Sequence, residues 1–115
     1  MRREILYLND IVEAADALER FTAGRTRDEF EADDLFRSAV IFKLIVIGEA
    51  AARVSPEVRG RHSHVAWQDI VGLRNIAVHG YFSLNLATIW ATATQDAPVL
   101  RRQIAEILES ERDRE

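Results

Sequence analysis

Apolar positions recur along this chain at helical spacing, with charged residues between them. Ile5, Leu8, Ile11, Val12, Ala15, Leu18 and Phe21 follow three or four residues apart, interleaved with Glu4, Asp10, Glu13, Asp16 and Arg20. That pattern predicts an amphipathic helix over residues 3–22, stopped by Gly24. Thr26, with Glu29 three residues on, reads as a capping box opening a short helical turn. Asp33 or Asp34 then caps a long helix reaching Val54, just before Ser55, Pro56 and Glu57, where proline suits a first helical position. Residues 39–47 of that segment are apolar on every side except at Lys43. A buried strand is the rival reading, because β-branched residues dominate. The good helix formers from Glu49 to Arg53 continue the segment without a turn signal, so it is read as helix. A helix apolar all round must be covered all round. One of its faces, around Ile41 to Ile47, is therefore read as a subunit interface of a homodimer, with Gly48 and residues 50–52 small enough for another helix to approach.

Residues 59–66 read as a polar loop, and a third helix starts near Trp67. Its stripe is Trp67, Ile70, Val71, Arg74, Ala77, Val78 and Tyr81, with a stop or kink at Gly80. A last helical stretch covers about residues 84–110, capped by Ser83 or Asn85 and interrupted at Asp96, Ala97 and Pro98. Only two prolines and five glycines break the chain. The 115 residues therefore make one all-α domain, residues 1–115, an antiparallel bundle of four to five helices.

Composition narrows the chemistry. With 48% hydrophobic and 30% charged residues the chain is no disordered polymer. Its net charge of −4 argues against a general nucleic-acid coat, though not against a small basic site. Cysteine is absent, which removes disulfides and thiolate catalysis. Lys43 is the single lysine, a poor basis for P-loop or Schiff-base chemistry. The first residues lack a signal peptide's uncharged core, and no apolar run nears the roughly 18 residues of a membrane span, so the expected location is the cytoplasm, with no membrane partner.

Arg74 is the anomaly, a permanent charge on an otherwise apolar stripe. Either it pairs with an acid on a facing helix, Glu49 being the obvious one, or it faces a wet cleft and binds phosphate through its planar fork of donors. His79 follows five residues later, where a helix end favours the imidazolium and a titration near neutral pH. Tyr81 is almost two turns from Arg74 and would share its face if the helix persisted. His62 and His64 are two apart in a loop, a weak metal signal with no acid or cysteine pattern beside it. No nucleophile elbow and no glycosidase-like acid pair is present.

Arg74-Asn75-Ile76-Ala77-Val78-His79-Gly80-Tyr81-Phe82 resembles the signature of the HEPN superfamily, and the longer pattern of Arg, four residues, His, one residue, Tyr is similar to that of HepT toxins. Ile47-Gly48-Glu49-Ala50-Ala51, Trp67, Leu73 to Asn75, and Ile89-Trp90 extend the likeness over about residues 4–108, with Asn85 standing where that family more often carries Asp. The resemblance implies a HEPN-like helical fold and a homodimer whose Arg74 and His79 pairs line one cleft. It implies a metal-independent endoribonuclease without a cofactor, acting on RNA. It further implies neutralisation by a cognate minimal nucleotidyltransferase antitoxin that adds AMP to Tyr81. RNA carries its own nucleophile, so cleavage needs a base, an acid and positive charge at the phosphorane, roles that suit His79 and Arg74. Asn75 could hold the histidine or a phosphate oxygen, and Glu49 could orient Arg74. The competing reading is a noncatalytic helical subunit that docks a nucleotidyltransferase and presents nucleotide to it.

Overall fold

The computed structural model describes residues 2–76 and 85–115, all helix, turn or connecting loop, with no strand among them. Helix α1 runs Arg2–Thr22 and ends where Gly24 adopts φ +70, a left-handed conformation that glycine takes without penalty. The short α2, Arg27–Ala32, opens on the expected capping box: the Thr26 hydroxyl accepts from the Glu29 N–H while the Glu29 carboxylate accepts from the Thr26 N–H. Asp33 caps α3, Asp34–Arg53, by accepting from the Phe36 N–H at 3.2 Å.

The apolar run within α3 is helical, and its burial is one-sided. Val40, Ile41, Leu44, Ile47, Ala50 and Ala51 pack into the core. The opposite side carries Leu35, 82% exposed, and Phe42, 59% exposed, with Ile45 and Val46 half-buried. The residues of the expected interface segment thus divide, Ile41, Leu44 and Ile47 serving the chain's own core. Gly48, Ala50 and Ala51, expected to admit a helix of another subunit, serve this chain instead: Ala50 and Ala51 are buried inside it, and the close neighbour at Gly48 is its own backbone at Leu73 and Arg74, while Ala52 is half-buried.

Pro56 opens α4, Pro56–Arg61, so the first residues of the expected polar loop are helical; Ser55 caps it by accepting from the Val58 N–H. Helix α5, Trp67–Gly72, tightens into a 3₁₀ turn at Leu73–Asn75. After Asn85, whose side chain accepts from the Thr88 N–H, come α6, Leu86–Ala91, a π-helical turn, Thr92–Asp96, and α7, Ala97–Arg114.

The break expected at Pro98 does not occur, because the residues joining α6 to α7 keep right-handed helical dihedrals. The proline nitrogen cannot donate to the preceding turn, and the wider π turn immediately before it absorbs the defect without ending the rod. The rod also extends past Ser110 to Arg114. Helix α1 packs against both α3 and α7, α3 in turn carries α5 and the 3₁₀ turn, and one apolar core joins them. The expected contributions of Ala77, Val78, Gly80, Tyr81 and Ser83 lie outside the described residues.

Candidate functional site

The 3₁₀ turn decides where Arg74 goes. Three residues per turn stack positions i and i+3 on one another. Ile70, Leu73 and Ile76 therefore form the inward row, buried, half-buried and buried, and the Ile76 N–H donates to the Leu73 carbonyl. Arg74 and Asn75 fall between the rows and are both exposed. The α-helical count that placed Arg74 on an apolar stripe with Trp67 and Ile70 is overturned by this change of pitch. No carboxylate pairs with Arg74 among the described residues, so the expected structural ion pair with Glu49 is not formed. Glu49 is half-buried on α3, adjacent to Gly48, where the turn rests. It follows in sequence the residue on which the turn rests and forms no ion pair among the described residues.

The position of α5 is fixed by a group that the sequence reading passed over. Glu111 on α7 has 0% exposure, yet its carboxylate is fully served. Arg61 donates to it from Nη2 at 2.6 Å and from Nε at 3.2 Å, and His62 Nε2 lies 2.7 Å away. The Arg61 hydrogen bonds hold the Glu111 carboxyl below its ordinary value, against burial, which pushes the other way, and the His62 contact adds to the lowering. His62 caps the end of α4, and its carbonyl accepts from the Trp67 indole N–H at 3.0 Å. The buried carboxylate therefore anchors α4 and, through one backbone carbonyl, the first residue of α5. A visible signal existed: Glu111 continues the apolar row Ile104, Ile107 and Leu108 at helical spacing. His62, weighed as a metal ligand, is engaged in this network, and its ring lies 6.4 Å from that of His64.

Leu73 also lines a mostly apolar groove of about 470 Å³ with Leu44, Ile47, Ile70 and Leu100. The charged side chains lining it are Asp69 and Asp96. Two carboxylates repel phosphate, so this groove does not suit a polyanion. His79 and Tyr81, the remaining expected site residues, lie outside the described residues.

Helices with no strand among the described residues, and an exposed arginine that no carboxylate pairs among them, agree with what similarity to other proteins indicates. The chain matches the family model described as "Ribonuclease HepT-like" over residues 11–107. It is 34% identical over 106 residues to a "Putative RNase" of Caldanaerobacter subterraneus subsp. tengcongensis, covering 92% of this chain and 95% of that one. It is 32% identical over 95 residues to a "Probable ribonuclease HepT" of Thermococcus cleftensis, covering 83% and 86%. A longer protein of Methanocaldococcus jannaschii, named "Gamma-glutamylcyclotransferase and putative RNase", is 32% identical over 110 residues, and there the chain spans 50% of its relative's length. No solved structure matches. The chain belongs to the HepT-like ribonuclease family.

Proposed function

We propose that this protein is the toxin of a toxin–antitoxin module, a homodimeric, metal-independent endoribonuclease neutralised by AMPylation of Tyr81 by a cognate minimal nucleotidyltransferase. The observation that carries the reading is Arg74, exposed on its turn with no carboxylate paired to it among the described residues, in a chain of the HepT-like family. An exposed guanidinium without an acid partner keeps its planar fork of donors available to a phosphate.

In this reading His79 removes the proton of the 2′-hydroxyl, whose oxygen attacks the adjacent phosphorus. The bond to the 5′-oxygen breaks and that oxygen receives a proton, leaving a 2′,3′-cyclic phosphate and a 5′-hydroxyl. Arg74 stabilises the charge that builds on the phosphorane, with Asn75 beside it and Glu49 orienting the turn. The outward face of α3, with Leu35 and Phe42 exposed, supports the dimer: two copies of that face would cover each other and bring two Arg74 turns into one assembly. AMP on Tyr81 would add a negative charge where the phosphodiester must bind.

The test is cleavage of labelled RNA by wild type, Arg74→Ala and His79→Ala, in excess chelator and without it. The proposal expects wild-type cleavage to persist in chelator and each variant to lose about 10²–10⁴-fold. Activity of His79→Ala within a few-fold of wild type, or complete loss of wild-type activity in chelator, would contradict it. AMP-presenting docking without any cleavage would favour the noncatalytic subunit instead.

A further inference from the structure

Helix α3 and the Arg74 turn meet without a side chain between them. A Cβ built on Gly48 would lie 2.5 Å from the Arg74 backbone nitrogen, 3.1 Å from the Leu73 carbonyl carbon and 3.2 Å from the Arg74 Cα. All three neighbours are main-chain atoms, so none can swing aside as the end of a flexible side chain would. A methyl group here requires the turn to retreat by about 0.9 Å to reach ordinary contact. The turn's inward row, Ile70, Leu73 and Ile76, is held in the core, so the displacement falls on the segment that presents Arg74. Gly72, one residue before the turn, is different: its dihedrals are right-handed helical and a Cβ there meets nothing within 4 Å.

We propose that Gly48 is a positioning residue for the Arg74 guanidinium: by letting α3 touch the turn's backbone, it sets how far that guanidinium stands from the bound phosphate. This rests on the reading of Arg74 as the phosphate-stabilising group. Gly48 itself touches no substrate. A displacement near 1 Å of a group that must meet a developing charge costs on the order of 10²-fold in rate. An interaction made chiefly with the charge that develops in the transition state affects kcat more than KM.

The experiment uses the full chain and an RNA oligonucleotide selected from a random pool because the wild type cleaves it. Apparent kcat and KM are measured for Gly48→Ala, Gly72→Ala, Arg74→Ala, Arg74→Lys and the double variant Gly48→Ala with Arg74→Lys. All are assayed well below their own melting midpoints, with helix content checked by circular dichroism. Gly48→Ala is expected to lose about 10- to 100-fold in kcat with KM within about three-fold, and Gly72→Ala to stay within about two-fold of wild type. In the Arg74→Lys background, Gly48→Ala is expected to cost less than about three-fold more, because the group it positions is gone. Wild-type kcat in Gly48→Ala, a full additive loss in the double variant, or loss of helix in Gly48→Ala at every temperature would each overturn the proposal. Those results leave the role of Arg74 standing if Arg74→Ala is inactive. Wild-type activity in Arg74→Ala would instead refute the reading on which the proposal rests.

Discussion

Replacing Glu111 by glutamine keeps the shape of the side chain and removes its charge from a site with no water access. The carboxylate accepts two bonds from Arg61 and contacts His62 Nε2 at 2.7 Å, so the substitution weakens every one of them. Breaking a buried ion pair from one side costs about 3–5 kcal/mol. The Arg61 side chain here is 30% exposed and can turn to solvent, which moves the expected cost down to about 2 kcal/mol. For a domain of this size that corresponds to a melting midpoint lower by about 8 °C near pH 7. The sign of the pH dependence follows from the lowered carboxyl pKa, caused first by the Arg61 hydrogen bonds. A depressed folded-state value stabilises above the unfolded value, about 4.3, and that contribution disappears as pH falls through the folded one. Thermal melts from pH 7 to pH 3 should therefore show the gap between wild type and Glu111→Gln narrowing in acid. A gap under about 2 °C at pH 7, or one of constant size down to pH 3, would refute the assignment of Glu111 as an ionised anchor.

Phe42→Arg places a charge on the exposed face of α3; in sedimentation the wild type should be a dimer and the variant a monomer, its dissociation constant raised at least about 100-fold, since both copies lose an apolar contact. Asp33→Ala removes the cap on the Phe36 N–H and should cost about 1 kcal/mol in chemical denaturation, with activity per folded molecule unchanged. Tyr81→Phe should retain cleavage within a few-fold and gain no AMP on incubation with the cognate nucleotidyltransferase and ATP, read by intact mass.

The helices of this chain were legible because their signals are local. The Thr26 and Glu29 capping box, the Asp33 cap and the stop at Gly24 each act within four residues, and each forms as the sequence implies. Two features were misread because they depend on pitch. Counting at 3.6 residues per turn put Arg74 on the apolar stripe, whereas the 3₁₀ turn gives the inward row to Leu73 and Ile76. Pro98 looked like a break, and the π turn before it carries the helix through. The anchor at Glu111 needed contacts across about fifty residues of sequence, Arg61 and His62 to Glu111, which no spacing rule reports. Gly48 was recognised as a point of close approach, but which backbone approaches it is a tertiary fact.

The central claim, that this chain cleaves RNA by turning the substrate's own 2′-hydroxyl on the adjacent phosphate, is tested most directly with one pair of oligonucleotides. An RNA that the wild type cleaves is compared with the same strand carrying a single 2′-deoxy sugar immediately 5′ of the scissile phosphate, and the ends of the products are identified by mass. The account predicts a 2′,3′-cyclic phosphate from the first and no cleavage at that position in the second. Cleavage of the deoxy-substituted strand at the same site and rate, or a product ending in a free 3′-hydroxyl, would contradict it.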